Sequence, residues 1–221
     1  MFADDTLDPP IISDPEQLAR LGVLKVPIPD KLDESKWAFE LSQVSPEVMA
    51  AQGDTEYSFY RSFLEDPDFP FDFILGEDSE IGKTILRHFN VTKLDEIRLD
   101  DAFCVHYNME QEDSSGAKHM DPSDITVNMC LEKTEDAEGS EVMFYGTKTL
   151  ENVERTEDDV KDASFSFLVQ QEAGYATMHW GDHPHKTMAL KRGKRTNIVI
   201  TYCYKDSSRS DVSSRTCYFT Q

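Results

Sequence analysis

Six histidines occur in the chain; three of them, His179, His183 and His185, fall within one short stretch with Asp182, and His119 stands beside Asp121 earlier in the chain. His119 and Asp121 stand two apart, just ahead of the alternating run Ile125-Thr126-Val127-Asn128-Met129-Cys130-Leu131. On an extended segment, residues i and i+2 point to the same side. One imidazole and one carboxylate can therefore reach a single cation. A third ligand must come from elsewhere, and the segment Tyr175–His185 offers His179, His183 and His185. Two histidines and one carboxylate on one face of an octahedral ion leave three adjacent positions open, a donor set suited to non-haem Fe(II). Two open positions suit a chelating acid and the third a small molecule such as dioxygen. Ten residues beyond His185 stands Arg195. Its planar guanidinium pairs bidentately with a carboxylate.

These residues need a scaffold, and the texture of the chain changes to supply one. Residues 1–30 are acidic and Pro-containing and read as a surface arm or an edge strand. Residues 33–49 read as part strand and part short helix. The aromatics Tyr57, Tyr60 and Phe63, with Phe59 and the aliphatic Leu64, match helical spacing. Asp66 to Phe73 reads as a loop. Ser79 can cap a helix over the next ten residues, whose stripe is Ile81, Ile85, Leu86 and Phe89. From about Leu99 strands dominate: 102–107, 125–131, 141–145, 165–169, 175–179 and 197–204, punctuated by Gly, Asp and Ser. Helices followed by at least six strands imply a mainly β domain with flanking α, a sandwich or jelly roll buttressed by its N-terminal helices. The expected organisation is a single domain over 1–221. Residues 1–98 are an arm and supporting helices, 99–205 the β core, and 206–221 a tail or last edge strand.

Four ordered motifs carry a resemblance. His119-x-Asp121-x-Ser123-x-x-Thr126-x-Asn128-x-x-Leu131 comes first, then Gly139-Ser140-Glu141-Val142-x-Phe144. Gly174-x-x-x-Met178-His179-x-Gly181-x-x-x-His185 and Gly193-x-Arg195 follow. Over residues 99–205 the chain resembles the Fe(II)/2-oxoglutarate-dependent dioxygenases, and among them the catalytic domains of the prolyl 4-hydroxylase and lysyl hydroxylase group. Ser140 stands where that group has the second glycine of a pair. The resemblance implies a double-stranded β-helix, a cupin-like jelly roll with the metal inside its mouth. It implies His119, Asp121 and His185 as iron ligands, with His183 the alternative third ligand and His179 packing or orienting a neighbour. It implies Arg195 on the remote carboxylate of 2-oxoglutarate, with Tyr107, Asn128 and Thr126 as further candidates around that co-substrate. Trp180 reads as either the substrate mouth or core. The implied reaction hydroxylates an unactivated C–H bond with Fe(II), 2-oxoglutarate and dioxygen, releasing succinate and CO2. Because Asp121 is a carboxylate rather than Ala or Gly, oxidation is expected rather than halogenation.

Composition narrows the partners. The chain has 221 residues, 22 Lys+Arg and 43 Asp+Glu, a formal net charge of −21. An acidic body repels phosphate backbones, so nucleic acid is not an expected partner. Residues 184–221 alone are basic, and Lys191, Arg192 and Lys194 read as a solvated turn. No run of about 18 apolar residues exists, and the opening MFADDTLDPP has no basic or apolar leader region. A cytoplasmic protein without a membrane partner is expected. Cys104, Cys130, Cys203 and Cys217 read as free thiols of a reducing compartment, and the sequon Asn90-Val91-Thr92 carries little weight. The expected substrate is a peptidyl prolyl or lysyl residue, or alternatively a free amino acid or small molecule. Two rival classes are a cupin-like metal-dependent hydrolase or isomerase, and a binding protein without catalysis. Oligomeric state is not readable from the sequence.

Overall fold

In the computed structural model, described residues are 9–28, 59–62, 69, 71–110, 114–150 and 161–210. The first helix, α1 (Pro15–Leu21), begins where Asp14 accepts a hydrogen bond from Gln17 N (2.8 Å), with proline in its first turn. It stops at Gly22, and the chain turns directly into strand β1 (Val23–Pro27). Strand β2 (Phe59–Ser62) follows, then α2 (Phe71–Leu75) and α3 (Glu80–His88). Ser79 caps α3 as its sequence predicts, accepting from Gly82 N (2.8 Å) and donating to the Ile74 carbonyl (2.7 Å). Such a cap contributes about 1 kcal/mol.

The strands are β3 (Ile97–Tyr107), β4 (Ile125–Lys133), β5 (Glu138–Gly139), β6 (Val142–Thr147), β7 (Lys161–Val169), β8 (Tyr175–Trp180), β9 (His185–Thr187), β10 (Leu190–Arg192) and β11 (Arg195–Tyr204). Six make an antiparallel sheet in the order β1-β8-β4-β11-β3-β2. Three make a smaller sheet, β7-β6-β9, and β10 pairs with β5. The architecture is mainly β with few helices.

The larger sheet has two unlike faces, and its period of two is visible in every central strand. Ile125, Val127, Met129 and Leu131 of β4 join Ile198, Ile200 and Tyr202 of β11 and Ala176, Met178 and Trp180 of β8. Together with Ile81, Ile85 and Phe89 they form one apolar cluster. That cluster packs the sheet against α3. The alternate residues, Thr126, Asn128, Arg195, Asn197, Thr177 and His179, are buried or nearly so on the opposite face. A second apolar cluster, Ile12, Leu18, Val23, Val142, Phe144, Phe167 and Val169, joins α1 and β1 to the smaller sheet.

Several expectations change. Residues 59–62 are a strand hydrogen-bonded to β3, with Phe59 opposite His106 and Ser62 opposite Phe103, not part of a helix. Four residues are too few for periodicity to decide between the two, and an open β3 edge settles it. Part of the expected 66–73 loop is helical, since α2 starts at Phe71. Residues 33–49, Tyr57, Phe63, Leu64, Cys217 and the possible strand 216–220 lie outside the described residues. The arm does supply an edge strand, β1. Cys104, Cys130 and Cys203 are buried free thiols. No helix of the described residues is long and apolar enough to cross a membrane.

Candidate active site

Four backbone hydrogen bonds bring the metal candidates together. His119 N donates to the His185 carbonyl and His185 N to the His119 carbonyl, both at 2.9 Å, so the two histidines face each other as a cross-strand pair. Asp121 N donates to the Gly181 carbonyl (2.8 Å), and Gly181 N to the Asp124 carbonyl (3.0 Å). A Cβ at position 181 would lie 2.1 Å from the Ser123 carbonyl oxygen, so only glycine lets the two segments meet. The donor atoms of His119, Asp121 and His185 all lie within 4.8 Å of one another. His119 Nε2 is 3.3 Å and His185 Nε2 3.8 Å from Asp121 Oδ1.

The imidazoles are aimed by their other nitrogens. His119 Nδ1 donates to the Ala117 carbonyl (2.8 Å), and His185 Nδ1 to the His183 carbonyl (2.9 Å). Each ring therefore carries its proton on Nδ1 and offers the Nε2 lone pair, the arrangement that fixes metal-ligating histidines. Thr126 donates to Asp121 Oδ2 (2.5 Å), leaving Oδ1 toward the two rings. Protonation states match. Burial, more than any neighbour, pushes His185 down to about 3. Burial opposes ionisation of Asp121 too, but the surrounding imidazoles outweigh it and hold its carboxyl below the ordinary carboxylate range. His119, the most open of the three, is raised: burial opposes the charged form, and Asp121 with the Ala117 carbonyl outweighs it. A divalent cation needs neutral imidazoles and an ionised carboxylate, and this cluster supplies them around neutral pH once His119 is deprotonated.

His183 is not in this cluster. It is buried, with Nε2 donating to the Gly146 carbonyl (3.3 Å), and its ring lies 4.9 Å from that of Phe144. His179 is also buried, donating from Nδ1 to the Trp180 carbonyl (2.9 Å), with its ring 4.7 Å from that of His185. Burial pushes each down to about 4. Trp180 belongs to the core: its ring meets Phe89 edge-on at 4.8 Å, and Nε1 donates to the Thr149 carbonyl (3.0 Å).

Arg195 opens β11 opposite Tyr107 of β3. It is 1% exposed, and its guanidinium carbon sits 4.6 Å from the centre of the Tyr107 ring. Its Nη1 donates to the Ser140 carbonyl, while its Nε–H is buried without a partner among the described residues. Among the described residues no carboxylate forms an ion pair with it. A buried charge is costly unless paired. This side chain thus suits an anion that arrives from outside. Lys191, Arg192 and Lys194 stay at the surface, and Arg192 pairs with Glu138 (2.9 Å).

Thr126 and Asn128 share the inner face but not the same partners. Thr126 holds Asp121, whereas Asn128 accepts from Asn197 Nδ2 (2.5 Å). Asn197 also donates to Gln171 (3.1 Å), which donates to Thr177 (3.3 Å). Sequence reasoning did not single out Gln171, Asn197 or the carbonyls of Ala117 and His183. Backbone acceptors leave no trace in residue type. For Asn197 the alternation of β11 was a usable signal.

No protein-family model matches the chain, and no curated protein matches it. Solved structures do resemble it. An oxidoreductase of the 2OG-Fe(II) oxygenase family from Burkholderia pseudomallei is 14% identical, with 85% of this chain and 87% of that one covered at a TM-score of 0.51. A prolyl-4-hydroxylase from Pseudomonas putida is 14% identical, with 86% and 96% covered at 0.52. HygX from Streptomyces hygroscopicus, with nickel and 2-oxoglutarate bound, is 13% identical, with 86% of each chain covered at 0.56. At such identities the likeness is one of fold.

Proposed function

We propose that this chain is an Fe(II)- and 2-oxoglutarate-dependent dioxygenase that hydroxylates an unactivated C–H bond. The observation that carries the reading is one pairing on one inner face. A His-Asp-His cluster presents two aimed Nε2 atoms and one carboxylate oxygen, and a buried arginine has no carboxylate ion-paired to it among the described residues. A hydrolase or isomerase on the same barrel would use the cluster but has no need of Arg195. The likeness in fold to structures described with iron, nickel or 2-oxoglutarate supports the same choice. We read the two sheets as a double-stranded β-helix centred on 99–205, and residues 1–221 as one domain.

Bound Fe(II), with 2-oxoglutarate and dioxygen, would supply the oxidising chemistry and release succinate and CO2. His119, Asp121 and His185 would hold the metal. The Ala117 and His183 carbonyls fix the tautomers of the two rings, and Thr126 fixes the rotation of the carboxylate. Arg195, over the Tyr107 ring, would take the remote carboxylate and so set the direction of the co-substrate. The buried aromatic wall of Phe144 beside His179, His183 and His185 keeps water from that side of the site.

The substrate we assign is a prolyl or lysyl residue in a peptide, on the likeness of the motifs. The chain's net charge of −21 favours a neutral or cationic partner over an anionic one. The test is anaerobic titration with Fe(II) and then 2-oxoglutarate, watching for the visible absorption of a chelated 2-oxo acid. The band should form in the native protein and vanish in His185→Ala. Zinc retention with no response to 2-oxoglutarate would move the hydrolase reading to the front. Succinate release is then compared between proline- and lysine-containing peptides and free metabolites. Turnover confined to the latter would replace the peptide by a small molecule.

A further inference from the structure

Ser140 carries two costs that glycine would not. Its backbone φ is +59°, in the left-handed region where a side chain is strained. Its hydroxyl is buried, the residue being 1% exposed, and Oγ has no hydrogen-bond partner among the described residues. An unpaired buried hydroxyl is destabilising. The same residue is bound to Arg195, whose Nη1 donates to its carbonyl. Arg195 Nε–H is the second orphaned donor of this corner. Two residues in direct contact thus each hold a buried donor with no acceptor. No hydrogen bond joins the Arg195 Nε–H to the Ser140 hydroxyl, so neither satisfies the other.

An acceptor with more than one lone pair would satisfy both. We infer that Ser140 is a co-substrate-binding residue, its hydroxyl donating to the same remote carboxylate that Arg195 takes. The inference rests on the dioxygenase reading above. A carboxylate has two oxygens and about four acceptor sites, enough for Nε–H of Arg195 and Oγ–H of Ser140 together. Strain kept at a site is then exchanged for a donor fixed in advance. The Ser140 carbonyl that anchors Arg195 belongs to the backbone and survives any substitution. The contribution of the hydroxyl can therefore be separated from that of the arginine's orientation.

The test compares the native protein with Ser140→Gly and Ser140→Ala, reading two quantities without turnover. The first is the dissociation constant of 2-oxoglutarate for anaerobic metal-loaded protein, and the second is the unfolding midpoint of metal-free protein. A lost hydrogen bond to a charged acceptor predicts about tenfold weaker 2-oxoglutarate binding in both variants. Binding of 2-oxobutyrate, which has no remote carboxylate, should not change. The glycine variant should also unfold at a higher temperature, because it loses both the strain and the orphaned hydroxyl. Unchanged 2-oxoglutarate affinity in both variants would overturn the inference and leave the dioxygenase reading standing. A native protein that binds metal but no 2-oxoglutarate would overturn the reading beneath it. Equal losses for 2-oxobutyrate would mean that Ser140 shapes the cavity rather than binding the carboxylate, and would also overturn the inference.

Discussion

In the proposed site, the end that would hold the metal and the end that would hold the anion are finished to different degrees. At the metal end the hydrogen bonds that aim the ligands are already made. Both imidazoles donate to backbone carbonyls, Asp121 accepts from Thr126, and the protein alone sets the geometry. At the end proposed for the anion a guanidinium lies over an aromatic ring, and among the described residues neither its Nε nor the hydroxyl of the neighbouring Ser140 has a partner. The first end is pre-organised for a small cation, which tolerates little error in ligand position. The second keeps a buried charge with no carboxylate ion-paired to it among the described residues, which on the proposed reading an incoming carboxylate would complete. The protein's own stability and its ligand affinity should therefore respond in opposite directions at the two ends.

The sharpest break is at the ligands themselves. Replacing Asp121 or His185 by Ala should weaken divalent metal binding by more than about 100-fold, above the range for supporting residues. Equilibrium titration with Fe(II) or Ni(II) measures it. Next comes Arg195. Arg195→Met should weaken 2-oxoglutarate binding at least about 30-fold, since a buried charge contact contributes about 2 kcal/mol or more. It should leave metal affinity in place and raise the unfolding midpoint of the empty protein, because the lone buried charge is gone. A lower midpoint would mean that Arg195 is already neutralised and would erase the contrast between the ends. Thr126→Val should cost about tenfold in metal affinity, and Thr126→Ser should recover most of it. If valine binds metal as well as threonine, the carboxylate is held by the ligand geometry alone.

A different kind of effect is expected in the pH dependence of stability. His179 and His183 are held neutral down to about 4 and His185 to about 3, against 6.5 for a free imidazole. Below 6.5 the unfolded chain binds more protons than the folded one, so stability falls on acidification through that window. Each group contributes up to about 1.4 kcal/mol per pH unit. His119, raised, works in the other sense: its contribution is present below 6.5 and fades as pH rises through its folded value. The metal-free protein should thus melt at a lower temperature at pH 5.5 than at pH 7.5. His183→Gln should flatten the slope. A midpoint independent of pH would mean that these rings are accessible to protons when folded.

The alternation of Thr126 and Asn128 with Ile125 and Val127 was readable in residue type, because the two faces of that sheet meet different media. Ser79 was readable because a cap is a local device. The convergence of the metal candidates depended on spacing around Gly181 and on a cross-strand pair 66 residues apart in sequence, His119 with His185. No local pattern encodes that pairing, and the motif likeness supplied what periodicity could not. The choice of His185 over His183 also lay beyond periodicity: both are buried, and what separates them is the pairing of His185 with His119 and the direction of its ring toward Asp121. Ser140 illustrates the opposite case. Its departure from a glycine pair was plain in the sequence, but its left-handed backbone and its bond to Arg195 were not. Strand β2 was misread because four aromatic-rich residues fit either period, and the pairing partner lies about 45 residues away.

The N-terminal segment has one further consequence, for how the chain reaches this state. Pro10 and Ile12 bond Leu168 of β7, and β1 bonds β8, while Lys25 pairs with Glu172 (2.5 Å) across 147 positions of sequence. One early stretch therefore fastens the edges of both sheets, with partners that leave the ribosome long after it. Closing so large a loop is slow. Until β8 is synthesised, β1 has no neighbour and its backbone groups stand open to other chains. His185 and Arg195 emerge later still, so a metal held by the proposed triad could not help nucleate the fold and would only reward it once complete. A variant that weakens the β1–β8 seam should show its defect first as a loss of soluble yield during synthesis, before any loss of affinity in the molecules that do mature.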